Sequence, residues 1–194
     1  MSNTYDLVFP RVIAHHERND LIDPVLDMLQ EIPVVDGWDS IASVDDRILD
    51  KYPKIQKQFT DEVHGFLKNV MEFDCGLQMT TSWFTKVHNG LTLQAHKHMN
   101  SWYSAVFYFQ NDCEIKILAD NATQIYVVPN QDRKNNFADE TITYQPKPGT
   151  ILIFPSNTLH QIEPHDWAKT RYSLAFNFMP LGEVGRRDSR HIYK

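Results

Sequence analysis

Only two cysteines, Cys75 and Cys113, occur in the 194-residue chain, and they do not form a Cys-x-x-Cys pair. Their scarcity excludes a disulfide framework and a zinc ribbon and suits a reducing compartment. Also missing are an apolar run of membrane-spanning length and an opening series of basic, apolar and small residues. The expectation is a cytoplasmic protein with no membrane partner. Positive charge is in deficit, with a formal net charge of -6. A nucleic-acid partner normally meets a basic face, so none is expected. The local cluster of Arg186, Arg187 and Arg190 lies in a polar C-terminal stretch and reads as a solvated end.

What is present is ordinary for a globular chain: 42% hydrophobic and 23% charged residues, without a low-complexity tract. A single domain over residues 1–194 is expected, able to bury its core without covalent staples. It divides into a helical prelude (1–75), a β-rich core (76–180) and a tail (181–194). Residues 5–13 read as an extended opening strand, because Pro10 disfavours helix around it. Asp20 and Asp23-Pro24 start a first helix, in which Leu21, Val25, Leu26 and Leu29 recur at helical spacing. A second helix is predicted from Pro53 to Glu72, its apolar stripe formed by Ile55, Phe59, Val63, Phe66, Leu67, Val70 and Met71.

After Gly76, aromatic and β-branched residues fall into short runs separated by Asn, Asp, Pro and Gly. Strands are predicted at 78–87, 91–96, 102–110, 113–118, 123–129, 141–145, 150–154, 159–163 and 171–179. Many short antiparallel strands after a helical start predict a mainly β fold: a double-stranded β-helix, or cupin-like jelly roll, with helices packed on one outer face. The polar segment 130–140 is expected to form a loop at the barrel mouth. Exposed strand edges leave room for a homodimer.

The chemistry-bearing residues lie in this second half. Residues i and i+2 of a strand share a face, so His96 and His98 can reach one metal ion while Lys97 points away. His160 follows the buried-looking run from Thr150 to Leu159 and can complete a facial set of three ligands. Standing alone, the His-x-His pair is equally a polar strand face. On the strand opened by Arg171, residues Tyr172, Leu174, Phe176 and Phe178 share one face, and Arg171, Ser173, Ala175 and Asn177 the other. An arginine turned inward needs an anion: an internal carboxylate, or a dicarboxylate ligand held by two parallel hydrogen bonds with Ser173 adding a hydroxyl. His15, His16, His64, His165 and His191 form no second site. His88, beside the Asn89-Gly90 turn, borders the mouth. Trp83 and Trp102 are expected in the core.

The segments His96–Tyr108, Phe154–Pro164 and Arg171–Asn177 resemble the iron(II)- and 2-oxoglutarate-dependent oxygenases, and in particular a small bacterial and phage family similar to the prolyl-hydroxylase branch. The resemblance runs over about residues 78–180. It implies that His96, His98 and His160 hold Fe(II), and that Arg171 and Tyr108, with Ser173 beside them, bind the far carboxylate of 2-oxoglutarate. It further implies O2 as co-substrate, ascorbate as a stimulant, and hydroxylation of a small molecule or a peptide side chain such as proline. His98 stands where the wider superfamily carries Asp or Glu, which makes the site one charge more positive. Two other readings remain open: a cupin-like three-histidine metalloenzyme that does not use 2-oxoglutarate, and a non-catalytic jelly-roll binding module. Binding of 2-oxoglutarate at Arg171 separates the first; metal content separates the second.

Overall fold

The structure, a computed structural model, describes residues 10–36, 41–87, 92–110, 114–120, 140–162 and 171–194. Within these lie strands β1 (Ala14–Glu17), β2 (Val34–Asp36), β3 (Ile41–Ser43), β4 (Gly76–Val87), β5 (Leu93–His96) and β6 (Tyr103–Gln110). They continue with β7 (Ile115–Leu118), β8 (Thr141–Tyr144), β9 (Thr150–Pro155), β10 (His160–Ile162), β11 (Arg171–Val184) and β12 (His191–Tyr193), and the helices are α1 (Ile22–Leu29) and α2 (Pro53–Asn69). The larger sheet runs β1-β9-β6-β11-β4-β3-β2, with β12 added to β11, and the smaller runs β5-β10-β7-β8. Every ladder between these strands is antiparallel. The double-sheet jelly roll is therefore the fold.

Helix α2 starts at Pro53, whose missing N–H is one the first turn would leave unpaired anyway. Its buried residues Phe59, Val63, Phe66 and Leu67 lie on one stripe at helical spacing. The helix stops at Asn69 rather than Glu72 because Glu72 takes a left-handed φ of 57° and Phe73 N–H turns back to Leu67 O at 2.9 Å. That closure satisfies a terminal carbonyl. The stripe packs on the outer face of the larger sheet, where the Phe59 ring lies 4.7 Å from Phe176 and 5.2 Å from Phe107. On the other face, Val106, Tyr108, Leu152, Phe154 and Ala175 meet Ile115, Ile117 and Ile162 of the smaller sheet. The alternation of β11 is as predicted: Leu174, Phe176 and Phe178 join the helix side and Ala175 the barrel interior.

Several sequence expectations need correction. The stretch read as a helical prelude also carries β1, β2 and β3, which extend the larger sheet along β9 and β4. Of the opening strand predicted at 5–13, residues 10–13 are not in a strand and 5–9 lie outside the described residues; β1 follows at 14–17. Residues 181–194, expected as a tail, also carry strand: β11 runs on to Val184, and β12 folds back on it with Gly182 opposite Tyr193, while Arg186, Arg187 and Arg190 are exposed as expected. The strand predicted at 123–129, residues 130–139 of the mouth loop, and Cys113, His88 and His165 lie outside the described residues.

Gly149 leads into β9 with φ +89°, and a Cβ there would sit 2.0 Å from Asn19 Oδ1. Its carbonyl also receives Arg18 N–H at 2.7 Å. Gly149→Ala is expected to destabilise the protein by about 2 kcal/mol or more, since it adds left-handed strain to a steric conflict. A urea melt checks this, and an unchanged midpoint would refute it.

Candidate metal centre

The smaller sheet brings two of the three histidines together. His96 ends β5, His160 opens β10, and the two are direct cross-strand partners in the antiparallel register. Residues opposite each other in such a ladder place their side chains side by side. His98 arrives differently, since β5 has ended by that point and strand pleat does not aim it. Its backbone N–H is tied to Ser156 O at 2.9 Å, and its ring Nδ1 lies 2.7 Å from Asn177 Oδ1 on β11. The ring centroids are 4.3 Å apart for His96 and His160, 5.1 Å for His98 and His160, and 5.5 Å for His96 and His98. One ligand nitrogen from each ring lies within 4.8 Å of the other two.

Which nitrogen points inward follows from the hydrogen bonds. His96 Nδ1 lies 2.7 Å from Gln94 O and His160 Nδ1 lies 2.9 Å from Thr158 O. A carbonyl only accepts, so each Nδ1 donates and each Nε2 keeps a free lone pair. Burial drives the pKa of His160 from 6.5 down to about 3; its bond to Thr158 O opposes this, and the charges of His96, His98 and Arg171 reinforce it. Burial also lowers the pKa of His98, with the Asn177 bond acting against it and His96 adding to it. Both rings are thus neutral near pH 7, the form that binds a metal.

A proton is therefore taken up by His160 more readily in the unfolded chain than in the folded one. The associated stability is complete above pH 6.5 and is lost as pH falls toward 3. The metal-free protein is expected to melt at lower temperature as pH drops from 7 to 5, and His160→Gln should reduce that slope. An identical slope in the variant would show that His160 does not contribute.

Arg171 opens β11 with its side chain in the barrel interior and is only 3% exposed. Its Nε and Nη1 find no hydrogen-bond partner among the described residues, and no described carboxylate forms an ion pair with it. The internal ion pair left open by the sequence is absent from the described residues. Buried guanidinium N–H groups without acceptors are costly, and a carboxylate ligand satisfies two at once. The guanidinium carbon lies 5.3 Å from the centroid of the buried Tyr108 ring. Ser173, also buried, is the cross-strand partner of Tyr108. Three imidazole donors suit a divalent first-row metal such as iron, and the unsatisfied Arg171 suits an anion, so the residues present fit both groups.

Two aromatic residues complete the walls. Phe154 lies 5.1 Å from His160 and 6.2 Å from His98, and Trp83 lies 5.5 Å from His98. Trp83 therefore faces the site rather than the helix-side core, where Trp102 packs 5.1 Å from Phe73. Asn177 was placed on the inward face by alternation, but no local signal marked it as a partner of His98. The remaining described histidines lie elsewhere: His16 pairs with Glu62 at 2.6 Å, His64 reaches Cys75 O at 3.0 Å, His15 packs on Tyr144, and His191 is exposed on β12. A separate cavity of about 810 Å³ has Phe73, Trp102, Met179, Glu183 and Tyr193 among its walls, but none of the three histidines and not Arg171. A convergent set of donors is a stronger mark of chemistry than volume alone. No helix among the described residues is long and apolar enough to cross a membrane.

Comparison with known proteins bears on the family and the fold. The family described as "Putative 2OG-Fe(II) oxygenase" matches residues 81–177, half of the 194-residue chain. No curated protein sequence matches. Among solved structures, HygX from Streptomyces hygroscopicus, with nickel and 2-oxoglutarate bound, aligns with a TM-score of 0.63 at 10% identity, covering 87% of this chain and 82% of its own. A 2OG-Fe(II) oxygenase family oxidoreductase from Burkholderia pseudomallei aligns at 0.59 with 12% identity, covering 81% and 76%. A Pseudomonas putida prolyl-4-hydroxylase aligns at 0.52 with 15% identity, covering 88% and 93%.

Proposed function

Because this chain belongs to the 2OG-Fe(II) oxygenase family, enzymes that work with iron(II) and 2-oxoglutarate, we propose that it is a dioxygenase holding iron on His96, His98 and His160 and 2-oxoglutarate on Arg171. In a chain that also gathers three histidines, the observation that carries this reading is the buried Arg171, two of whose nitrogens find no hydrogen-bond partner among the described residues. Its charge is felt at His160, which links the two halves of the site. A cupin-like metalloenzyme that makes no use of 2-oxoglutarate would need another anion to satisfy this arginine.

Each side chain then has a task. The Nε2 lone pairs of the three histidines would hold the metal. Nε–H and Nη1–H of Arg171 would donate to the far carboxylate of 2-oxoglutarate, with the Tyr108 ring packed against the guanidinium and Ser173 offering a hydroxyl beside it. Phe154 and Trp83 limit water next to the rings. Bound together, iron and 2-oxoglutarate supply the oxidation: O2 and 2-oxoglutarate are consumed, succinate and carbon dioxide are released, and one oxygen atom enters a C–H bond of the substrate. The protein positions the reactants and excludes stray water.

Three neutral imidazoles leave the two positive charges of iron(II) unbalanced by protein ligands; with the far carboxylate of 2-oxoglutarate paired to Arg171, its other carboxylate would offset one of them. We therefore expect metal and co-substrate to tighten each other's binding. The prime substrate is a small molecule or a peptide side chain. One structural neighbour was crystallised with hygromycin B and another is a prolyl-4-hydroxylase. The test is succinate formation from 2-oxoglutarate with iron(II) and ascorbate across a panel of peptides and metabolites, paired with anaerobic titration of 2-oxoglutarate. Succinate release above a metal-free control is expected. Absence of both turnover and anaerobic binding would overturn the assignment.

A further inference from the structure

The three histidines are held in two different ways. His96 and His160 each donate Nδ1–H to a backbone carbonyl two residues upstream, Gln94 O and Thr158 O. Such acceptors do not change with side-chain identity. His98 instead relies on a side chain 79 residues away, Asn177, whose Oδ1 lies 2.7 Å from Nδ1.

Asn177 is itself held from several sides. Ser104 Oγ donates to the same Oδ1 at 2.7 Å, and Asn177 Nδ2 donates to Thr81 Oγ1 at 3.0 Å. Since an amide oxygen only accepts, the protons of both Ser104 and His98 Nδ1 are committed to it. Ser156 Oγ must then donate to Ser104 Oγ across 2.8 Å. Ser156 also fixes the backbone of His98 through its carbonyl at 2.9 Å. The pleat of β11 turns Asn177 inward, and β4 bulges opposite it: Asn177 faces Thr81 and Phe178 faces Met79, leaving Thr80 as the extra residue, with its Oγ1 donating to Asn177 O at 3.3 Å. Bulges of this kind re-aim side chains next to functional sites.

We infer that Asn177 is the positioning residue that selects the metal-binding tautomer of His98. With the amide as placed, His98 carries its proton on Nδ1 and presents Nε2 to the cluster. A reversed amide would turn Nδ2 toward Nδ1, force that nitrogen to accept, and leave the proton on Nε2, where it blocks coordination. Ser104 and Thr81 brace the amide from two sides. Because the partner is a neutral amide, it orients His98 without adding negative charge, in keeping with the charge-poor set of three imidazoles. Hydrogen-bond partners behind a ligating imidazole commonly change metal affinity by about 10–100-fold.

This inference rests on the histidine cluster being a metal site, and its test separates the two. Cobalt(II) is titrated into wild-type protein, Asn177→Ala and Asn177→Asp, following the visible absorption bands, and the His98 tautomer is read from ring nitrogen chemical shifts in the metal-free proteins. Wild type is expected to bind one cobalt and to show His98 protonated on Nδ1. Asn177→Ala is expected to bind cobalt about 10–100-fold more weakly and to shift His98 toward the Nε2-protonated form. Asn177→Asp retains an acceptor and restores wild-type affinity or better with the Nδ1 proton in place; it decides the matter if the alanine variant does not fold. Failure of wild type to bind cobalt overturns the metal-site reading itself. If wild type binds and the alanine variant matches it in affinity and tautomer, or if the aspartate variant loses the Nδ1 proton, only the role of Asn177 is overturned.

Discussion

Arg171→Ala is expected to raise the dissociation constant for 2-oxoglutarate by at least about 100-fold, because breaking a buried pair by removing one partner costs on the order of 3–5 kcal/mol. The side chain is 3% exposed and carries two nitrogens without acceptors among the described residues, so ligand binding would replace an unsatisfied state with a satisfied one. Arg171→Lys keeps the charge but loses the planar two-pronged donor and should fall between wild type and alanine. Anaerobic isothermal titration of the iron-loaded protein measures both. Removing Arg171 also removes a positive charge that acts on His160, so metal affinity should hold or rise slightly. Equal 2-oxoglutarate affinity in wild type and the alanine variant would place the co-substrate elsewhere.

His160→Ala should abolish stoichiometric metal incorporation, with an affinity loss exceeding the roughly 100-fold typical of an outer hydrogen-bond partner. His160 is the buried member of the cluster and sits across the ladder from His96. Its loss breaks the facial set and opens a space beside Phe154, 5.1 Å away. The metal-free variant should still fold, since His160 opens a three-residue strand whose remaining members, Gln161 and Ile162, keep their pairing with Lys116 and Ile115. Metal analysis of the purified variant, with a circular-dichroism melt as control, tests this. Full metal occupancy in a folded variant would remove His160 from the ligand set.

Much of this site was legible from local periodicity. Strict alternation along β11 divides Leu174, Phe176 and Phe178 from Ala175, and the same alternation placed Arg171 and Ser173 in the interior. Helical spacing in α2 identified Phe59, Val63, Phe66 and Leu67 as its buried stripe. The strands beyond β4 were not legible: β2 and β3 have three residues each, too few for a period to register, and exist through their pairing with each other and with β4. The same holds for β12, which forms by folding back on an extended β11.

By itself, the sequence determined which donor types are available, which face of each long element is apolar, and that one arginine lies among inward-facing residues. Those are local properties, repeated every two residues in a strand or every three to four in a helix. Tertiary structure alone decided that His160 lies opposite His96, that His98 is aimed by a loop rather than by the pleat, and that Asn177 stands behind it. These depend on contacts between distant segments, where register and hydrogen-bond direction are set by packing two sheets together rather than by any spacing along the chain.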